Sequence, residues 1–320
     1  MPDETRVFRK VMVPLDGSPL AERALVPAAK LAERAGAQLL LVTVKPPAST
    51  VRLPPESRRA HERVDDFLEK RLRGYLAAQV AALPATMSHP VQIAVLDGWA
   101  PESLAAHAHA ADIDLIIMTT HGRGGASRFW LGSVADELLR RTSCPVLLLR
   151  EGGAGADGEF QRILVALDGS LLSEALLPPA LAIAALHKEG RCTLVHVVEP
   201  PPSLLFRMAG LSSLAGQRWT DDQRESATSH FAHLADRLRH SGVPAEVRVV
   251  VGEGVGEHIV SVIEEVHNDL TVVGTYGARG LERIVLGSVA DKVVRGSAAA
   301  VLVVPLWHVS GESRTVARPR

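Results

Sequence analysis

The sequence predicts an α/β chain of two tandem doubly wound domains, each a five-stranded parallel sheet flanked by helices. The first observation behind this is a repeat. Val11-Met-Val-Pro-Leu-Asp-Gly-Ser18 returns as Ile163-Leu-Val-Ala-Leu-Asp-Gly-Ser170, and Leu131-Gly-Ser-Val-Ala-Asp136 returns unchanged as Leu286-Gly-Ser-Val-Ala-Asp291. Asp16 and Asp168 stand 152 residues apart, Gly132 and Gly287 stand 155 apart. A period of that size is a whole domain, far beyond the roughly 20–50 residues of a solenoid repeat. The second observation is length, since 320 residues is about twice an ordinary domain. The third is the alternation, in each half, of short apolar runs with amphipathic stretches. Parallel strands buried on both faces alternate with their crossover helices in this way.

In chain order, the first half offers strands at Val11–Leu15, Gln38–Val44, Val91–Leu96, Leu115–Met118 and Val146–Leu149, all rich in Val, Ile and Leu. Between the second and third lies a helical stretch over 56–83. Its Val64, Leu68, Leu72, Leu76, Val80 and Leu83 recur at three- and four-residue steps as one apolar stripe. Glu151-Gly-Gly-Ala-Gly-Ala-Asp-Gly-Glu159 then places four glycines in nine residues, which predicts a flexible linker. The expected division is a first domain at 1–150, a linker at 151–160, a second domain at 161–306 and a tail at 307–320. The second half repeats the scheme, with strands near 163–167, 192–198, 246–251, 270–274 and 301–304. Its helix over 221–240 opens on a capping-box pattern, Thr220-x-x-Gln223, and carries Phe231, Leu234 and Leu238. The stretch 199–217, with Pro200, Pro201 and Pro202, reads as a mobile surface excursion. The tail from Ser313, with Arg314, Arg318 and Arg320, reads as a disordered end.

Composition narrows the function classes. At 47% hydrophobic and 22% charged residues the chain is an ordinary globular one, which excludes a disordered, coiled-coil or collagen-like chain. Thirty-five basic against thirty-six acidic side chains give no net pull toward nucleic acid or an anionic membrane. Two cysteines, Cys144 and Cys192, cannot build a disulfide framework. The N-terminus is polar, and the longest apolar run, Ala298 to Trp307, is about half a membrane span and contains Pro305. The expectation is a cytoplasmic protein without nucleic-acid or membrane partners.

In an open doubly wound sheet a ligand sits beyond the carboxyl ends of the strands where the strand order reverses. Asp16-Gly17-Ser18 and Asp168-Gly169-Ser170 follow the first strand of each half. A glycine-bearing loop follows the fourth, from Thr119 through Gly122 and Arg128 to Gly132-Ser133, and from Gly274 through Gly277 and Arg283 to Gly287-Ser288. With strand order 3-2-1-4-5, both features meet in one crevice. Glycines let backbone N–H groups approach phosphate oxygens, and the helix starting at Ser133 or Ser288 adds unpaired N–H groups and a partial positive charge. Phosphates repel carboxylates, so Asp16 and Asp168 suit a nucleoside end or a metal ion. Plain structural readings stand beside these. Ser133-x-x-Asp136 and Ser288-x-x-Asp291 have the form of capping boxes, and Asp-Gly-Ser is common turn chemistry.

Taken together, Gly-x2-Gly-x9-Gly-Ser after a strand and an early Asp resemble the universal stress protein family, over about 7–150 and 160–306. Gly274-x2-Gly277-x9-Gly287-Ser288 matches the pattern in full. The resemblance implies the 3-2-1-4-5 sheet and ATP as ligand, with or without Mg2+. It puts Asp168 and Val197 at the adenosine end, with Gly274, Gly277, Gly287 and Ser288 around ribose and phosphates. In the first half Asp16, Val44, Gly122, Gly132 and Ser133 take these places, but Thr119 stands where the first motif glycine belongs. If that position requires positive φ, a β-branched residue is costly there and the first site is the weaker. The resemblance further implies pairing through the last strands, Val146–Leu149 and Val301–Val304, giving a pseudo-dimer within one chain and leaving a homodimer open. The expected role is an ATP-binding stress-response sensor or regulator with an unidentified protein partner. It is not an enzyme beyond slow ATP hydrolysis or self-phosphorylation. The alternative is a nucleotide-free tandem scaffold.

Other chemistries fail on the residues. No Gly-x4-Gly-Lys-Ser/Thr occurs. Gly252-Glu-Gly254-Val-Gly256 resembles a dinucleotide fingerprint, but Glu257 stands at its last glycine. No Gly-x-Ser-x-Gly elbow is present. His107 and His109, two apart, point to different faces of a helix, and His121 is matched in the other half by Tyr276.

Overall fold

The computed structural model describes residues 8–46, 58–84, 87–120, 131–201, 213–275 and 286–306. The first half contributes strands β1 (Lys10–Pro14), β2 (Gln38–Lys45), β3 (Gln92–Asp97), β4 (Leu115–Thr119) and β5 (Val146–Leu149). The second contributes β6 (Arg162–Ala166), β7 (Arg191–Val198), β8 (Ala245–Val251), β9 (Leu270–Gly274) and β10 (Ala300–Val304). Helices α1 (Pro19–Glu22), α2 (Leu25–Ala35), α3 (Arg58–Ala82), α4 (Ala100–Ala110) and α5 (Ser133–Arg141) belong to the first half. Helices α6 (Leu177–Ala185), α7 (Ser213–His240), α8 (Val255–Val266) and α9 (Ser288–Gly296) belong to the second, with a 3-10 turn at Ser173–Leu176. Among the described residues no helix is long and apolar enough to cross a membrane.

All ten strands form one sheet, ordered β3-β2-β1-β4-β5-β10-β9-β6-β7-β8. Each half is a parallel sheet, as the alternation of apolar runs and helices predicts, in the 3-2-1-4-5 order that the family resemblance implies. The halves join where β5 and β10 pair antiparallel, Leu148 opposite Val301 and Leu147 opposite Leu302. Both strands are wholly apolar and buried. Left unpaired, they would be exposed edges prone to association. The register keeps like faces together. Leu147 and Leu302 face the side covered by α2, α3, α6 and α7, with Val11, Ile117, Ile163 and Phe231. Leu148 and Val301 face the side of α4, α5, α8 and α9, with Met12, Ile116, Val197 and Val293. Each core therefore runs through both halves. Because the halves run in opposite directions at the junction, their carboxyl-end crevices open at opposite ends of the sheet.

Two expectations are corrected. Helix α7 starts at Ser213, so Thr220 lies inside it. The Thr220 hydroxyl donates to the Gly216 carbonyl (2.9 Å) instead of capping a helix end. The excursion over 199–217 thus ends earlier, its residues 202–212 lying outside the described ones. The tail from Ser313 lies outside them too.

The glycine-rich linker is a packed strap and not a loose tether. Ala154 bridges to Ala299, its carbonyl accepting the Ala300 N–H at 2.9 Å. Gly155 has φ +78, and a Cβ there would stand 2.4 Å from the Asp269 carbonyl oxygen and 2.8 Å from the Phe160 ring. These glycines serve close backbone approach, which composition alone cannot tell apart from freedom. At one end of the strap the Arg150 guanidinium donates to the Val294 and Arg295 carbonyls that end α9. At the other, both oxygens of Glu159 accept from Arg34 Nη2 at 2.8 Å, and one of them reaches Lys30 at 3.3 Å.

Candidate functional site

The crevice of each half is built at the ends of its first and fourth strands. Asp16 leaves β1 into Gly17, whose φ of +78 bends the chain back. Asp16 Oδ1 accepts the Ser18 N–H at 2.9 Å, and Ser18 Oγ caps α1 by accepting the Ala21 N–H at 3.1 Å. In the second half Gly169 has φ +83. Asp168 Oδ1 accepts the Ser170 N–H at 2.9 Å and the Ser170 hydroxyl at 2.6 Å. The turn reading of Asp-Gly-Ser is therefore true as far as it goes. It spends one oxygen of a carboxylate that stays exposed at the crevice mouth in both halves.

The fourth strand ends in a pinch. The Gly132 N–H donates to the Thr120 carbonyl at 2.6 Å, and the Gly287 N–H donates to the Thr275 carbonyl at 2.8 Å. The intervening loop thus leaves and returns at one point, and the following helix starts at the carboxyl end of the sheet. Gly132 and Gly287 are the N-caps, and neither helix has a side-chain cap hydrogen bond. Ser133 and Ser288 are the first helical residues and are exposed. The capping boxes do not form. Asp136 pairs with Arg140 at 3.1 Å and Asp291 with Arg295 at 2.8 Å, one turn further along. Two helix N-termini are thus presented to the crevices without a side-chain oxygen of their own.

Gly274 ends β9 in extended pairing with Val304, as Thr119 ends β4 opposite Leu149. The expected backbone strain at Thr119 is absent, because the matching glycine does not use positive φ. What distinguishes the halves there is a buried threonine side chain. Val197 is buried in the core on the α8 and α9 side, and half-buried Val44 packs on the α4 and α5 side. Each therefore shares a sheet face with its uncapped helix N-terminus. Gly122, Gly277, Arg128, Arg283, His121 and Tyr276 lie outside the described residues. Gly254, with φ +81, caps α8 and donates its N–H to Glu199 at 3.2 Å, while Gly252 lies under the His258 ring. The apparent dinucleotide fingerprint is a strand-to-helix turn.

The family model of the universal stress protein family matches residues 8–150 and again 159–305, nearly the whole chain. The chain belongs to the universal stress protein family. A universal stress protein of Mycobacterium tuberculosis is 30% identical over 199 residues, spanning 60% of this chain and 62% of its own length. Another from the same organism is 25% identical over 308 residues, covering 92% of this chain and 94% of its own. Among solved structures, a universal stress protein from Archaeoglobus fulgidus superposes with a TM-score of 0.65 at 19% identity, covering 93% of this chain and 98% of its own. That likeness shows the fold, a tandem of stress-protein domains.

Within this tandem the two crevices differ at the ends of β2 and β7. Lys45, 4% exposed, puts its Nζ 2.7 Å from Asp65 on α3 and 2.9 Å from Asp97 at the end of β3. Burial pulls this ammonium down, and the two carboxylates more than offset it, holding its pKa above the usual lysine value. In the second half the matching positions are Val198 and Val251, paired in the same register. There the nearby polar group is His196, stacked against Phe231 at 4.9 Å with Nδ1 2.9 Å from the Leu167 carbonyl. Sequence reasoning missed Lys45. Its one signal was a charge ending an otherwise apolar strand, next to Val44.

Proposed function

We propose that the crevices bind an adenine nucleotide, ATP, and that the protein acts as a nucleotide-dependent regulator in the stress response. One observation carries this reading. In both halves a helix starts at the switch point with a glycine N-cap and no side-chain cap, so its first-turn N–H groups face the crevice with a partial positive charge. Phosphates suit the Gly132–Ser133 and Gly287–Ser288 ends, with Gly122, Gly274 and Gly277 allowing close approach. Asp16 and Asp168, repelled by phosphate, suit the ribose. Val44 and Val197 offer apolar surface to the base. A magnesium ion bound with the nucleotide would neutralise phosphate charge. The second crevice carries the full glycine motif and is the stronger, because Thr119 adds a side chain at the first.

Regulation requires the nucleotide to bind one state of loops 119–132 and 274–287 better than another, about 1.4 kcal/mol for each tenfold shift. The altered loop surface is what a protein partner would read. Turnover beyond slow hydrolysis or self-phosphorylation is not part of the proposal. The test is the nucleotide content of protein purified without added nucleotide, with calorimetric titration of the emptied protein. Bound ATP near one or two per chain supports the regulator and counts its sites. No carried nucleotide and no heat at several temperatures leaves the tandem scaffold, with its continuous ten-stranded sheet. A Gly277→Ala, Gly287→Ala double variant that still binds with unchanged affinity at the second crevice would sink the loop assignment.

A further inference from the structure

The pseudo-twofold axis between β5 and β10 maps the strap over 150–159 onto a part of the molecule with no strap among the described residues. The contacts of the strap are specific. It leaves β5 at Leu149, bridges Ala299, takes the Ala300 N–H, passes Asp269 and Phe160, and has Gly158 against Pro27. The mates of those six residues are Val304, Cys144, Pro145, Asp114, Phe8 and Pro179. Local bonding supports the mapping. Cys144 N–H donates to Thr142 Oγ1 as Ala299 N–H does to Ser297 Oγ. Asp114 accepts the Lys10 N–H as Asp269 accepts that of Arg162. All six mates line a single cavity of about 640 Å³ at the foot of β1, β4 and β5, against the second half.

After Val304 the chain continues through Pro305 and buried Leu306 into residues 307–320. From the cavity and this chain order we infer that the C-terminal segment after Leu306 docks in the cavity as the internal counterpart of the strap. The strap crosses its cradle in ten residues, 150–159, and the segment supplies fourteen, 307–320. At the offset that takes Leu149 to Val304, Ser310 and Ser313 take the places of Gly155 and Gly158. The segment therefore brings a small side chain where the strap has none and does not repeat its backbone contacts atom for atom. One feature of the cradle differs. Pro145 has no N–H to offer where Ala300 has one, so main-chain pairing is replaced by side-chain burial. Trp307 and Val309 are apolar, and Ile113, Pro145 and Pro179 give the cavity an apolar side, beside a charged one with Arg9, Lys10, Asp112 and Asp114.

Cys144 sits in that lining and reports on it. In the full chain and in a chain ending at Leu306, native-state labelling of Cys144 by a small maleimide is compared, with Cys192 in β7 as reference. The expected result is at least a tenfold faster reaction at Cys144 in the shortened chain, and no change at Cys192. An unchanged Cys144 rate overturns the inference. So does protection that is lost on deleting residues 1–6 and kept on deleting 307–320, which would give the cavity to the N-terminal segment. A second experiment is independent of any loosening by truncation. In full-length Cys192→Ala protein, Val309→Cys is expected to form an intrachain disulfide with Cys144 under mild oxidation, and Val316→Cys is not. No disulfide from Val309→Cys, or one between chains, overturns the inference.

Discussion

Replacing Gly155 by alanine tests whether the strap is a structural element. The conformational part comes from φ +78, where an L side chain costs about 1–2 kcal/mol. The steric part comes from a Cβ 2.4 Å from the Asp269 carbonyl oxygen and 2.8 Å from the Phe160 ring. The nearest neighbour is backbone, so something must shift, and such overpacking costs about 1–3 kcal/mol. Loss of unfolded-state freedom returns about 0.4–1 kcal/mol. The net expectation is a loss of about 2–4 kcal/mol. Gly152→Ala is the control, with φ +66 but nothing within 4 Å of its Cβ, so it keeps only the conformational part. The unfolded-state contribution is common to both, and their difference isolates packing at about 1–3 kcal/mol. Urea denaturation followed by circular dichroism, with equal m-values for the two variants, reads the difference as a shift in midpoint. Midpoints that agree within about 0.5 kcal/mol would refute the packing argument and return the linker to a tether.

Burial pushes the Cys144 thiol up to about 11 and the Cys192 thiol up to about 12, from 9.0. The native state keeps protons that the unfolded chain releases, so this stability is complete below pH 9 and is lost as pH rises toward 11 and 12. At about 1.4 kcal/mol per unit, Cys144 alone accounts for about 2–3 kcal/mol. Urea midpoints at pH 8, 10 and 11 should fall more steeply in the natural protein than in a Cys144→Ala, Cys192→Ala variant, and parallel slopes would show the thiols to be irrelevant. Lys45→Met removes a buried cation from two partly exposed carboxylates and should cost only about 1 kcal/mol. Val198→Lys, beside Val251, buries an unpaired ammonium and should cost several-fold more. Thermal midpoints check the order, which equal losses would contradict. On the nucleotide proposal, Thr119→Gly should tighten binding at the first crevice about three- to tenfold by titration calorimetry, and unchanged affinity would remove the ranking of the two crevices.

Ten strands are legible in the sequence to within about a residue, the inner ones because a strand buried on both faces must be a continuous apolar run, and the edge strands β3 and β8, only partly buried, by their Val, Ile and Leu content. The features hidden from the sequence depend on contacts across the fold. The polar start of α7, Ser213 to Thr220, has no apolar period to announce a helix, and an internal threonine there mimics a cap. Ser133 and Ser288 sit one residue inside the pattern that marks them as N-caps, a shift that alters their chemistry from cap to first turn. The strap glycines look like freedom because the Asp269 carbonyl that forbids a Cβ at 155 is more than a hundred residues away. The Lys45 pairing draws its carboxylates from α3 and β3, so no spacing in the chain could show it. The motif position at Thr119 suggests backbone strain, whereas β4 and β9 end in the same extended pairing and differ only by a side chain.

The duplication is symmetric in backbone and unsymmetric in chemistry, and Arg150 shows what that does. Its guanidinium closes the carbonyl end of α9, the helix whose other end meets the second crevice at Ser288. The mate of Arg150 is Pro305, which has no donor to give to α5. The first half therefore braces the second, and the second does not return the contact in kind. Hydrogen bonds from a charged donor contribute about 1.5–3 kcal/mol. Arg150→Met should destabilise the protein by roughly that much, and unevenly. Amides of α9 should exchange faster under native conditions by about tenfold or more, while those of α5 keep their rates. Equal acceleration in α5 and α9 would mean that Arg150 supports the sheet junction as a whole, and the helix-end account would fall.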